Sequence, residues 1–256
     1  MTSKTTSAGI GNRARLSWPE WAVGALLLLA TALLLGSDLV GWPAIWYDEG
    51  ITLQVSRSLS ELGRYGIESS DGFRAFSPII STGPTVSVPI ALVFAAVGPG
   101  LLQARMVIVA YALLSVLLLY IIALRLFDLR TAVIAGFLFI SIGAASGDTS
   151  ASFVGLGRMV MGEVPALALL LAGTLLWSVG LDSDRPLPIL AAGLLWGLAM
   201  VTKAQFVFIA GGLVLTGVVY ALRQRRVCWL QCAIPLLVSL ACAGAWSAWQ
   251  YYGSGP

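Results

Sequence analysis

The sequence contains no histidine, which removes imidazole from every acid–base, nucleophile-activating or metal-ligating scheme before any motif is considered. Any general base must be a carboxylate. Charge is scarce as well: Asp, Glu, Lys and Arg make up 11% of the 256 residues, where soluble domains carry about 25%. The net charge of +3 is small and scattered, with no basic stripe to suggest nucleic acid. Cysteine is limited to Cys228, Cys232 and Cys242. All three lie in one apolar run, where thiols pack as small hydrophobes rather than forming a metal or redox site.

What the chain has in abundance is apolar surface, 58% hydrophobic residues with a mean hydropathy of +0.90. Several runs reach the roughly 20 apolar residues that a helix needs to cross a hydrocarbon core. Such continuous runs fit helices, which satisfy their own backbone hydrogen bonds, and not a barrel. The expectation is an all-α integral membrane protein of about seven transmembrane helices, at Trp21–Val40, Met106–Leu124, Thr131–Ala145, Val164–Leu181, Leu187–Val201, Gln205–Leu222 and Trp229–Gln250. Residues 1–19 form a polar tail with Lys4, Arg13 and Arg15, and the first run is too long for a signal-peptide core, so it stays as an anchor with the N-terminus inside.

Residues 41–103 make the one long loop. Within it Ile51, Val55, Leu59 and Leu62 recur at helical spacing with Gln54, Arg57 and Glu61 between them, the pattern of a short interfacial helix. Gly83–Gly100 is apolar but carries Pro84, Pro89 and Pro99, and its unbroken core Ile90–Val97 is too short to span, which makes it interfacial or re-entrant. Charge supports this count. Lys4, Arg13, Arg15, Arg125, Arg130, Arg185, Arg223, Arg225 and Arg226 fall inside, nine of fifteen basic residues, whereas a span at Gly83–Gly100 would leave six inside, against the positive-inside rule. An eight-span model with the N-terminus outside ties on the count but exports the basic tail.

The seven-span arrangement gathers Asp48, Glu49, Arg105, Asp148, Arg158, Glu163 and Lys203 on the outer side. Arg105, Arg158, Glu163 and Lys203 adjoin apolar spans, where an ionisable group costs several kcal/mol, about 3 by insertion scales, unless it is paired or solvated. They are functional candidates. Each has a bland alternative: helix N-terminal capping for Asp48 and Glu49, snorkelling to headgroups for the cations. Trp42, Trp46 and Tyr47 flank the acidic pair as interfacial anchors or, alternatively, as a sugar-stacking surface.

The order of these marks resembles the GT-C-fold glycosyltransferases that use lipid-linked sugars, close to protein O-mannosyltransferases and the aminoarabinose transferase of lipid A. The likeness covers nearly the whole chain. It rests on Trp46-Tyr47-Asp48-Glu49-Gly50 after the first span, Thr82-Gly83-Pro84-Thr85, Gln103-Ala104-Arg105, Leu124-Arg125-Leu126-Phe127, Gly157-Arg158-Met159-Val160-Met161-Gly162-Glu163-Val164-Pro165, and Gly197-Leu198-Ala199-Met200-Val201-Thr202-Lys203.

The resemblance implies a GT-C-like module over residues 20–250 with seven spans and a surface helix at Gly83–Gly100. It implies transfer of a sugar from a polyprenyl phosphate, with inversion, to a lipid, glycan or protein acceptor at the outer face. Asp48 matches the family's general base, with Glu49 beside it as a second catalytic carboxylate. Arg105, Arg158 and Lys203 are the cations for the donor phosphate, and Glu163, where many relatives carry Asp, would orient Arg158 or the acceptor. Asp148 adds a second carboxylate to the outer loop of Glu163, but the two offer too few oxygens for a hard-cation site, so no metal is expected and a divalent cation remains an alternative. Relatives continue past the seventh span, so residues 251–256 read as the start of a further outer loop, and a second polypeptide supplying that part is a candidate partner. A transporter component is the rival reading, although its ionisable groups should lie at mid-membrane; an inactive relative or scaffold is the other.

Overall fold

The computed structural model describes residues 17–75, 82–144, 152–183, 185–223 and 229–253. Helices form at each of the seven expected places: α1 (Trp18–Gly36), α4 (Leu101–Leu126), α5 (Leu129–Ser141), α7 (Glu163–Ser183), α8 (Pro186–Thr202), α9 (Phe206–Arg223) and α10 (Trp229–Gly253). Between α1 and α4 lie α2 (Tyr47–Leu62), a hairpin of β1 (Gly66–Ser69) and β2 (Gly72–Ala75), and α3 (Pro84–Val97); a single turn, α6 (Phe153–Leu156), precedes α7. The helical expectation holds, with this small antiparallel hairpin, Ser69 facing Gly72, as an addition.

Among the described residues four helices are long and apolar enough to cross a membrane, α1, α4, α7 and the Gln231–Tyr252 stretch of α10, while α3, α5 and α8 are shorter apolar helices. The expected span at Thr131–Ala145 is shorter than expected. Gly143 takes a φ of 73°, a left-handed turn that stops α5 at 13 residues, about 20 Å of rise against a core of about 30 Å. α3, at 14 residues, is likewise too short to span, as expected. It does not lie free on a surface, however, because it buries Val86, Ile90 and Phe94 against α4 and its neighbours.

Among the described residues two helices, α3 and α10, carry a proline beyond their first turn, and the structure repairs both in the same way. Pro89 in α3 has no N–H for the carbonyl four residues back, and the Tyr111 hydroxyl of α4 donates to that carbonyl, Thr85 O, at 2.8 Å. Pro235 in α10 deprives Gln231 O, and the Trp177 indole N–H of α7 donates to it at 3.0 Å. Proline in a membrane helix is tolerated where a neighbouring helix re-satisfies the freed group in this way.

The best-packed part is α7, α8 and α10 around Trp196, which is fully buried. Gly193 and Gly197 lie one turn apart on α8 and let α10 approach closely; a Cβ at Gly193 would stand 2.7 Å from the Pro235 backbone. Small residues at four-residue spacing are how membrane helices pack without a hydrophobic drive between them.

The helices alternate in direction. At one end the Tyr120 hydroxyl of α4 donates to Glu20 O of α1 at 2.6 Å, and Arg125 pairs with Asp182 at the ends of α4 and α7. At the other end meet the C-termini of α1, α5, α8 and α10, the N-termini of α4 and α7, and the α2–α3 segment.

Candidate functional site

That second end holds Asp48, Glu49, Arg105, Arg158, Glu163 and Lys203, so the structure brings together the charged residues singled out in the sequence. Asp148 lies outside the described residues. The six do not share one environment.

Glu49 and Arg105 are both fully buried and form a two-armed ion pair: Arg105 Nε donates to Oε1 at 2.9 Å and Nη2 to Oε2 at 2.8 Å. Arg105 also donates to the carbonyls of Leu39 and Pro43, and the Val160 N–H donates to Glu49 Oε1 at 2.9 Å. Paired burial of this kind offsets a desolvation cost of several kcal/mol per ion only when the remaining polar atoms are also bonded. Here they nearly all are. Arg105 is therefore not a free cation for a phosphate, and Glu49 is not a reacting carboxylate; together they tie the start of α2 to α4, to the chain after α1 and to the loop before α7.

Arg158 corrects the expectation in a similar way. Its Nε donates to Leu35 O at 2.9 Å, and its Nη2 to Leu34 O at 3.3 Å and to the Ser37 hydroxyl at 2.8 Å. These carbonyls belong to the last turn of α1, whose acceptors have no partner within the helix, and a cation there also suits the helix dipole. The guanidinium lies over the Trp42 ring, 4.7 Å from its centre, which gives that aromatic a partner foreseen by neither the anchoring nor the stacking reading. Burial pushes the Arg158 pKa down, nearby Asp38 opposes this, and Arg105 adds to it.

Glu163 opens α7 and pairs with Lys203, just past the end of α8, at 3.0 Å; it does not reach Arg158 as expected. Both side chains keep about a fifth of their surface, 23% and 21%, and Glu163 Oε2 has no hydrogen-bond partner. Asp48, in the first turn of α2, is partly exposed and its side chain makes no hydrogen bond or ion pair to any described residue. It does not cap the helix, since no side-chain cap bond forms at this terminus.

A seam missed by the sequence reading lies beside Lys203. The Gly83 N–H donates to Thr202 O at 3.1 Å, and the Thr85 and Thr202 hydroxyls bond one another. A Cβ on Gly83 would lie 2.1 Å from Val201 O, so only glycine allows the approach. The Gly83-Pro84 pair at a helix start was the visible signal; its partner, 119 residues away, was not.

The family model described as dolichyl-phosphate-mannose-protein mannosyltransferase matches residues 81–252, more than half of the chain. The chain belongs to this mannosyltransferase family. No curated protein sequence matches it. Among solved structures, ArnT from Cupriavidus metallidurans in the apo state superposes with a TM-score of 0.64 at 20% identity, over 89% of this chain and 42% of that one. ArnT bound to undecaprenyl phosphate gives 0.66 at 19% identity, over 91% and 41%. The fold is thus the membrane GT-C fold, and the chain spans about two fifths of ArnT's length. It is a multi-pass membrane protein of that family.

Proposed function

We propose that this member of the mannosyltransferase family transfers a sugar from a polyprenyl-phosphate donor to an acceptor hydroxyl or amine at the outer membrane face, with Asp48 as general base. The observation that carries the reading is Asp48 itself: a carboxylate without a partner among the described residues, on a helix turn held by the fully buried Glu49–Arg105 pair next to it in sequence. A base held in place while its carboxylate stays open is what acid–base catalysis requires. The acceptor proton passes to Asp48, the acceptor atom forms its bond to the anomeric carbon from the face opposite the phosphate, and the phosphate leaves on its lipid with the bonding electrons, giving inversion.

Of the three cations considered for the leaving phosphate, Lys203 is the one that keeps exposed surface without being spent on carbonyls. Its charge stabilises the departing phosphate. Glu163 holds the ammonium in place through Oε1, at 3.0 Å, while its other oxygen, Oε2, is buried. That ArnT has been captured with undecaprenyl phosphate supports the same class of carrier lipid here. An N-terminus inside and a site at the outer face fit the positive-inside count.

The test is binding and transfer of radiolabelled polyprenyl-phosphate sugars by the protein in nanodiscs. Asp48→Asn is expected to bind donor as the wild type does and to lose about 10²–10⁴-fold in transfer, while Lys203→Ala loses donor binding. Unchanged turnover in Asp48→Asn would remove the base assignment, and unchanged binding in Lys203→Ala the phosphate assignment.

A further inference from the structure

Between α1 and α5, at the end where the charged residues gather, lies an open groove of about 480 Å³. Its walls are almost wholly apolar, with Leu27 and Leu34 from α1, Phe137 and Ile140 from α5, and Val154 and Trp42 beside them. The same two helices expose Leu26, Leu29, Leu33, Ile134 and Leu138, surface that in a membrane meets hydrocarbon. The groove therefore opens to lipid, and its size is that of a ligand pocket. Unfilled, its walls would forfeit the dispersion contacts of one whole side.

Apolar walls alone cannot select an occupant, because lipid tails are as apolar as the leucines they touch. Selection must come from a polar group beside these walls, and Arg158, though not itself part of the lining, is in contact with two residues that are. It donates to the carbonyl of Leu34, whose residue lines the groove, and stacks on Trp42, which forms part of the wall. Nε and Nη2 are occupied, and Nη1 makes no hydrogen bond to a described residue. No described carboxylate forms an ion pair with Arg158; Asp38 acts on it only from a distance. A nearly buried guanidinium, 4% exposed, that lacks an ion-pair partner calls for an anion. The indole beside it is the side chain that favours headgroup depth.

We propose that this groove seats one acyl chain of an anionic phospholipid, with the phosphodiester oxygens accepting hydrogen bonds from Arg158 Nη1. Neither Asp48 nor Lys203 lines the groove, and the proposal does not depend on the reaction assigned to them. Phosphate oxygens match guanidinium geometry, and the two-chain lipid leaves its other chain in the bilayer.

Native mass spectrometry of the purified protein, titrated with dioleoyl-phosphatidylglycerol or dioleoyl-phosphatidylcholine, tests the proposal. The wild type is expected to hold one phosphatidylglycerol about ten-fold more tightly than phosphatidylcholine. Ala30→Phe and Ser141→Phe fill the groove from opposite walls at exposed positions, so folding is spared, and each should lose that bound lipid. Arg158→Gln should bring the two lipids to equal affinity, with a thermal unfolding scan confirming that the variant is folded. Equal binding of both lipids by the wild type, or full retention of phosphatidylglycerol by both groove-filled variants, overturns the site. Displacement of phosphatidylglycerol by equimolar undecaprenyl phosphate overturns the phospholipid assignment and gives the groove to a prenyl chain.

Discussion

Two ion pairs at the same end of the helix bundle put identical chemistry to opposite uses. Glu49–Arg105 has no exposed surface, and both carboxylate oxygens and most of the guanidinium donors are bonded; Glu163–Lys203 keeps about a fifth of each side chain exposed, with one carboxylate oxygen unbonded. The difference lies in what surrounds them. Glu49 and Arg105 sit where α2, α4, the chain after α1 and the loop before α7 converge, so carbonyls and an N–H come to meet the charges. Glu163 and Lys203 sit on helix termini, where α7 begins and α8 ends, and the termini leave room. The first pair is frame, the second keeps part of its surface open and is the pair proposed for the donor phosphate, and their contrast is open to experiment.

The largest effect is expected from Arg105→Ala. It strands Glu49 as a buried, unpaired charge and frees the carbonyls of Leu39 and Pro43, a loss of about 3–5 kcal/mol, read as a fall in the thermal unfolding midpoint in detergent. The double variant Glu49→Leu with Arg105→Met removes both charges. It should recover only part of the loss, because the two carbonyls and the Val160 N–H remain without partners. Full recovery would mean that the pair holds nothing in place and that the frame description is wrong.

The contrast also marks how far the sequence could be read. The helical, membrane-spanning character was legible because it depends on the length and apolarity of runs, which are one-dimensional. The gathering of Asp48, Glu49, Arg105, Arg158, Glu163 and Lys203 at one end followed from alternation alone. Their roles were not legible, because Arg105, Arg158 and Lys203 look alike at the ends of apolar runs. What separates them is the supply of acceptors in three dimensions: carbonyls beyond α1 for Arg105, the last turn of α1 for Arg158, a single carboxylate for Lys203. The expected helix was found as α2, but the residues it buries are Glu49, Thr52, Val55, Ser56 and Ser58, of which Val55 alone belongs to the expected apolar set Ile51, Val55, Leu59 and Leu62. Two of the hydroxyls bond back to their own helix, Thr52 to Asp48 O and Ser56 to Thr52 O, which fits them for burial.

Next in size is the seam that holds Lys203 in place. Gly83→Ala puts a methyl group into the Val201 carbonyl, and backbone on both sides must shift, at about 1–3 kcal/mol. Since α3 and α8 meet there, donor binding should weaken along with stability. A variant that binds donor normally would show that the seam does not position Lys203.

Smaller still is the stability change in Lys203→Ala. A partly exposed pair contributes about 0–1 kcal/mol, so the unfolding midpoint should scarcely move while donor binding is lost. Arg125→Ala, which breaks the partly exposed pair with Asp182 at the opposite end, should match it in stability and leave binding intact. If Lys203→Ala instead destabilises as strongly as Arg105→Ala, the two pairs are both structural and the comparison collapses.

The smallest effect is confined to alkaline pH and concerns how the C-terminal end of α10 joins the frame. Tyr65, between α2 and β1, donates to Thr82 O at 3.3 Å and meets Trp246 and Trp249 edge-on, with ring centres 5.4 and 6.0 Å away. Burial pushes its phenol up to about 12, against a smaller opposing influence from Ser87. The folded protein thus holds the phenol neutral, whereas the unfolded chain ionises it near its usual value of about 10. Between those values the unfolded state carries fewer protons, so stability falls as pH rises from about 10 to about 12, while below 10 the contribution is complete. Tyr65→Phe keeps the ring contacts and removes the titrating group, so its loss of stability across that window should be shallower than the wild type's. Parallel curves would mean that the phenol is not held neutral by burial, and that Trp246 and Trp249 of α10 do not seal the segment between α2 and β1 from water.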